Sequence, residues 1–255
     1  MNDNYCFSML ALMPKYQLLA KSFAKDLEEH SPDIMVVIGT DNPNVFQNCR
    51  NVFAFKLIRQ GILHCYNDKR FVIEKALTRF KLVIQIDADT RIAGSLPKVI
   101  NHSPGLAAIH IENLVSHNQK YNPERLSYLY RLADKLKINP DDVSYIGESL
   151  FSISADQEKA SVFIHQWDLI ARYLEMHGIH AGEGNAIGLA AAKAKLEISR
   201  PSWLENINQI RQHMDVSQWE RRKSMWDRFK QKVDYHYRLN KTRVIALKDF
   251  DFYYH

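Results

Sequence analysis

The chain has 255 residues, which suits one large α/β domain, alone or with a small appendage. Three scattered cysteines, Cys6, Cys49 and Cys65, argue against a disulfide framework or a zinc knuckle and fit a reducing compartment. The formal charge of +5 is a local feature: Ser217 to Arg243 carries nine Lys/Arg against three Asp/Glu, a balance of +6 that leaves −1 for the rest.

The opening Met1-Asn2-Asp3-Asn4 lacks the basic stretch of a signal peptide, and no run reaches the roughly 18 apolar residues of a membrane span. A cytoplasmic protein is expected. Tyr5 to Met13 then reads as a short buried strand. Tyr16, Leu19, Ala20, Phe23 and Leu27 fall on one face of a helix. Asp33 to Ile38 is a second strand, closed by the loop signal Gly39-Thr40-Asp41-Asn42-Pro43. Val52 to Ile58 reads as a third.

Asn67-Asp68 offers an N-cap for the next helix, with Ile73, Ala76, Leu77 and Phe80 as its inner face. Leu82 to Ile86 follows as a strand, and Leu106 to Ile111 as another. Helical spacing recurs over Glu124 to Lys137 and over Gln157 to His177, where Phe163, Trp167, Ile170 and Leu174 share a face. Gly184 to Lys195 is a small-residue helix. The alternation predicts βαβ units and a mainly parallel central sheet flanked by helices.

The most informative stretch is Leu82-Val83-Ile84-Gln85-Ile86-Asp87-Ala88-Asp89. A buried strand runs into two acids with one residue between them. In extended chain both carboxylates point to one side, so both can reach one hard cation. They also stand where open α/β sheets bind ligands, beyond the carboxyl ends of the strands. Mn²⁺ or Mg²⁺ held there neutralises a leaving diphosphate. The plainer alternative makes Asp87 and Asp89 loop or capping residues.

Arg70 to Ile92 resembles the donor-site segment of glycosyltransferases with the GT-A fold, the nucleotide-diphospho-sugar transferase superfamily. These have a helix carrying Lys or Arg, a hydrophobic strand, then a D-x-D; Ile86-Asp87-Ala88-Asp89-Thr90 is close to the glycogenin-like form. The opening is similar as well: Leu10-Ala11-Leu12 ends strand one where the family packs base and ribose, and Val36 to Asp41 resembles its second strand.

The resemblance implies a Rossmann-like GT-A fold over residues 1–215, followed by a basic, aromatic helical extension over 216–255. It implies a nucleotide-diphosphate sugar donor, a uridine diphosphate sugar by default, with Ala11 and Asp87-Ala88-Asp89 in the donor site. Asp87 would touch ribose and metal, and Asp89 would bind the metal. Arg70, with Lys69 as its rival, would hold the diphosphate or the sugar.

Ile179-His180-Ala181-Gly182-Glu183-Gly184-Asn185 is similar to a His-x-Glu segment of retaining galactosyltransferases. That makes Glu183 the catalytic carboxylate, with His180 and Asn185 lining the sugar pocket. Its spacing departs from the family's, which leaves retention against inversion open. As residues, the flanking glycines allow close approach to a ligand, and Glu also suits a helix N-terminus. Glu148, in Tyr145-Ile146-Gly147-Glu148-Ser149, is the acceptor-side alternative and an inverting enzyme's base. His213 stands where glycogenin-like enzymes supply a third metal ligand; the other histidines show no metal-ligand spacing.

Near the C-terminus, Trp219, Arg221, Arg222, Lys223, Trp226, Arg228, Phe229, Lys230 and Lys232 are expected on one helix, with Trp226, Phe229 and Val233 on one face. Basic charge with aromatics suits an anionic membrane surface and a lipid-linked saccharide acceptor at the inner face, or else packing on the main domain. No nucleic-acid motif is present. The competing readings are a nucleotidylyltransferase, which usually needs a Gly-rich loop where Met13-Pro14-Lys15-Tyr16 stands; a D-x-D-x-T phosphatase, which Arg91 breaks; and a non-enzymatic basic binding module.

Overall fold

The structure is a computed structural model that describes residues 4–154, 157–214, 216 and 224–255. Its centre is a seven-stranded sheet built from β1 (Tyr5–Ala11), β2 (Met35–Thr40), β3 (Val52–Lys56), β4 (Leu82–Ile86), β6 (Gly105–Ala108), β9 (Leu150–Ser154) and β10 (Ile198–Ser199). The spatial order is β10-β6-β9-β4-β1-β2-β3. All neighbours run parallel except β9, which is antiparallel to both β4 and β6. Two short ladders stand apart from it: β5 (Thr90–Ile92) with β11 (Arg211–His213), and β7 (Ile111–Asn113) with β8 (Ser144–Ile146).

Strand alternation divides the core into two layers. Tyr5, Phe7, Met9, Leu82, Ile84 and Ile86 face one side, where α1 (Met13–His30) adds Phe23 and Leu27 and α7 (Ser202–Ile210) adds Leu204 and Ile207. Cys6 and Val83 face the other, under α2 (Lys69–Leu77), α5 (Gln157–Met176) and α6 (Glu183–Lys193). Both faces are covered, so all five residues of β4 are buried and its sequence is continuously apolar but for Gln85. That amide is satisfied inside the sheet: Ser8 Oγ donates to its Oε1 at 2.9 Å, and its Nε2 donates to Ile86 O at 3.0 Å.

The α/β class and the mainly parallel sheet agree with the sequence reading; several elements differ from it. The strand expected over Leu106 to Ile111 breaks into β6 and β7. An unforeseen α3 (Leu114–Tyr121) precedes α4 (Leu126–Leu136), and α7 was also not anticipated. Asp68 occupies the N-cap of α2 without capping it: its carboxylate accepts instead from the amides of Gln60 and Gly61.

Helix α6 lies very close to β8. A Cβ on Gly184 would sit 2.2 Å from Ile146 O, and one on Gly188 1.8 Å from Ser144 O. The glycine after Glu183 therefore serves packing against backbone rather than the ligand approach expected of it.

The basic helix α8 (Met225–Ala246) begins at Ser224, which forms a capping box with Asp227. Trp219, Arg221, Arg222 and Lys223, expected on the same helix, lie outside the described residues. α8 packs back on the main body through Ala246, and Tyr253 of α9 (Phe250–Tyr254) joins the α5 core, its hydroxyl donating to Leu169 O at 3.2 Å.

Candidate active site

From β1 the sheet continues to β2 and β3 on one side and to β4 on the other. This is a topological switch point, and the carboxyl ends of β1 and β4 open onto a crevice there. The crevice holds a cavity of about 760 Å³. Leu10, Leu12, Tyr16 and Ile58 give it apolar lining, and Asp87, Ala88 and Asp89 line it as well. Ala11 does not reach it; that side chain is fully buried in the α1-side core, and its two neighbours line the cleft instead. At the rim Met13 is held at φ +73, its amide donating to Asp41 Oδ1 at 3.0 Å.

Regular strand ends at Ile86, so the extended geometry expected of the acid pair does not continue through it. Asp87 and Asp89 have different partners. Asp87 Oδ1 lies 2.8 Å from Lys69 Nζ. Asp89 Oδ1 lies 3.6 Å from His213 Nδ1. The β5–β11 ladder creates the second contact by pairing His213 with Thr90, and Met214 N donates to Asp89 O at 2.8 Å. A carboxylate and an imidazole at this spacing form a suitable pair for Mn²⁺. Asp87 is committed to Lys69, and among the described residues Asp87, Asp89 and His213 do not bring three donor atoms within 4.8 Å.

Lys69 is the hub of the far side. Its ammonium lies 2.9 Å from Glu183 Oε1 and donates to Glu148 O at 3.3 Å, besides meeting Asp87. Burial alone would lower its pKa; the Asp87 and Glu183 carboxylates overcome that and hold the charged form well above its ordinary range. Glu148 stands in the turn between β8 and β9 and accepts from the Tyr145 hydroxyl at 2.7 Å. Burial, then the nearby charge of Glu183, pushes the Glu148 carboxyl from 4.5 up to about 7.

No protein-family model and no curated protein matches this chain.

Several expected residues are placed elsewhere. Arg70 turns away from the cleft: it donates to Asp168 Oδ1 at 2.7 and 2.9 Å and to Asn67 O at 2.6 Å, in a network shared with Arg172. Its neighbour Lys69 takes the cleft position, one residue away along a helix that turns about 100° per residue. Asn185 is 1% exposed and pairs with Asn118, with Asn118 Nδ2 donating to Asn185 Oδ1 at 2.7 Å. It knits α6 to α3 rather than lining a sugar pocket. His180 sits behind the cleft, Nε2 3.4 Å from the Tyr235 hydroxyl of α8, and burial lowers its pKa.

Arg59, Asp234 and Arg238 line one part of the cleft; sequence reasoning assigned Arg59 and Asp234 no role and placed Arg238 only in the basic, aromatic stretch suited to a membrane surface. Arg59 pairs with Asp234; Arg238 Nε lies 3.0 Å from the same carboxylate, and its Nη1 donates to Arg59 O. Asp234 and Arg238 sit one helical turn apart on α8, an ion-pair spacing legible in the sequence, but nothing there brings Arg59 to them.

Proposed function

We propose that this protein is a glycosyltransferase of the GT-A type. It takes a sugar from a nucleotide-diphosphate donor, a uridine diphosphate sugar by the resemblance, and passes it to a saccharide or lipid-linked saccharide. The observation that carries this reading is the Asp89–His213 pair, joined by a ladder between distant segments beside a cleft at the sheet's switch point. The α/β sheet, its parallel β1–β4 pair and the two acids beyond β4 support it. Apolar and charged side chains in one cleft suit a ligand that carries both a base and phosphates.

Asp89 and His213 are the residues that would hold Mn²⁺ or Mg²⁺, and Asp87 stands beside them. The cation supplies positive charge for the departing diphosphate. Lys69 adds a fixed positive charge at Asp87 and holds Glu183 in place. Glu183 offers negative charge to the sugar carbon as its bond to the diphosphate breaks and the oxygen leaves with the electron pair. Glu148, poised near neutral pH, accepts the proton of the acceptor hydroxyl as the new carbon–oxygen bond forms.

Helix α8 supports the lipid-linked acceptor. Trp226, Phe229, Val233, Tyr237 and Val244 recur on one exposed face, opposite the buried Thr242 and Ala246. Lys230, Lys241, Lys232 and Arg243 flank that stripe, which complements an anionic membrane surface. Among the described residues no helix is long and apolar enough to cross a membrane.

The test is a thermal-shift screen of nucleotide sugars with and without Mn²⁺, followed by transfer assays on any hit. Donor binding that needs the cation is expected, and Asp89→Asn abolishes both binding and transfer while keeping the fold. A variant with full activity would remove the metal assignment.

A further inference from the structure

Outside the cleft, among the described residues, His110, Glu112 and His117 bring one ligand atom each within 4.8 Å of one another. His117 Nδ1 lies 2.7 Å from Glu112 Oε2, and His110 Nε2 lies 3.4 Å from Glu112 Oε1. We propose that this trio is a zinc site, separate from the Asp89–His213 pair, and that it clamps the segment carrying Glu148.

The backbone prearranges it. His110, just before β7, and Glu112, within it, are two residues apart, and the Glu112 carboxylate meets both imidazoles. Asn113 caps α3 by accepting from Ser116 N at 2.9 Å, and this fixes the first turn that presents His117. The spacing His-x-Glu-x₄-His carries no recognised ligand pattern, because a strand-to-helix junction, rather than one element, assembles it. Two imidazoles and a carboxylate are the ligand set of many zinc centres and leave a fourth position for water or another group. Two nitrogen donors favour zinc over the oxygen-seeking Mg²⁺. Coordination replaces the His117–Glu112 hydrogen bond: the proton on Nδ1 moves to Nε2 or to solvent, and the metal takes its place between the two side chains.

The side chains packed behind these ligands lead to Glu148. His117 stacks on Tyr145 with ring centres 3.6 Å apart and planes 9° from parallel, and the Tyr145 hydroxyl donates to Glu148. Gly147 N donates to His110 O at 2.8 Å, and a Cβ on Gly147 would lie 2.7 Å from His110 Cβ. His110 and His117 thus hold the two residues that position Glu148, one by backbone and one by ring stacking.

Cobalt titration of the full chain, read by visible d–d absorption, tests the site. One equivalent of tightly bound Co²⁺ with a four-coordinate spectrum is expected, displaced by Zn²⁺, and Zn²⁺ raises the melting temperature. His117→Ala and Glu112→Gln should each weaken zinc binding by more than about 10-fold and abolish the spectrum. Asp89→Asn keeps both, so failure here and failure of the donor-site reading are distinguishable. If His117→Ala unfolds, His110→Gln, at a half-exposed ring, decides the matter by the same loss. A wild-type protein without the spectrum, or one that retains it in the trio's variants, overturns the proposal.

Discussion

Lys69, itself buried, holds two carboxylates that would otherwise repel each other in the cleft. Removing one partner of such a buried group leaves uncompensated charge, at a cost of about 3–5 kcal/mol. Lys69→Met is therefore expected to lower unfolding free energy by that order in chemical denaturation, and adding Glu183→Gln should restore part of it. Equal stability of wild type and single variant would show that the hub is not coupled.

Glu148 gives a pH signature with a definite sign. Between its ordinary 4.5 and its folded value of about 7, the folded protein keeps a proton that the unfolded chain has released. Stability from this group is full below that window and falls as pH rises through it. Glu175, raised to about 7 mainly by burial, acts in the same direction. Thermal melts from pH 5 to 8 should slope downward, and Glu148→Gln should flatten the slope without abolishing it. If Glu148 is the proton acceptor, kcat/KM of the wild type rises toward a plateau above about pH 7 and Glu148→Gln loses roughly 10²–10⁴-fold. A wild-type rate independent of pH across that range would remove it from the chemistry.

Among the elements, α6 and β8 meet at backbone distance through Gly184 and Gly188. Gly188→Ala would drive a methyl into Ser144 O, and overpacking of this kind costs about 1–3 kcal/mol. Denaturant midpoints should fall accordingly, with activity reduced because α6 begins at Glu183. A midpoint unchanged from wild type would mean that the helix can slide.

Element by element, legibility followed burial and period. β4 was readable to the residue because both of its faces are covered, and α5 because Phe163, Trp167, Ile170 and Leu174 keep one buried face. β9 was not anticipated as a strand, and its direction leaves no trace in the sequence either, since an apolar run has the same period both ways along the chain. Asp87 and Asp89 stand out by their place beyond a strand end, Glu183 and Glu148 through the resemblance, and the cleft gathers all four. Arg70 and Lys69 could not be separated, because helix phase at a first turn depends on where the helix starts. The pocket role of Asn185 rested on the resemblance, and its actual partner Asn118 lies on a helix the periodicity did not reveal.

For the whole molecule, the charge asymmetry acquires a location. Trp226 and Phe229 remain 73% and 59% exposed on a helix whose other face packs on α5. Sedimentation with anionic vesicles is expected to carry the protein down, with less binding at high salt. Lys230→Gln and Lys232→Gln should each lower partitioning about fivefold, near 1 kcal/mol per charge close to the surface. Trp226→Ala with Phe229→Ala should lower it further, while neutral vesicles retain little protein. Equal recovery on neutral and anionic vesicles would rule out the electrostatic part.

One reversed strand has a consequence for how such a pocket could diversify. Because β9 runs against β4 and β6, its beginning, not its end, meets the crevice. The turn from Gly147 to Ser149 therefore meets the seven-stranded sheet at β9 alone, while its other end is held by the Gly147–His110 bond beside the β7–β8 ladder. Under the proposed function, side-chain changes within this turn would remodel the acceptor side of the crevice without shifting the register of Leu82 to Ile86.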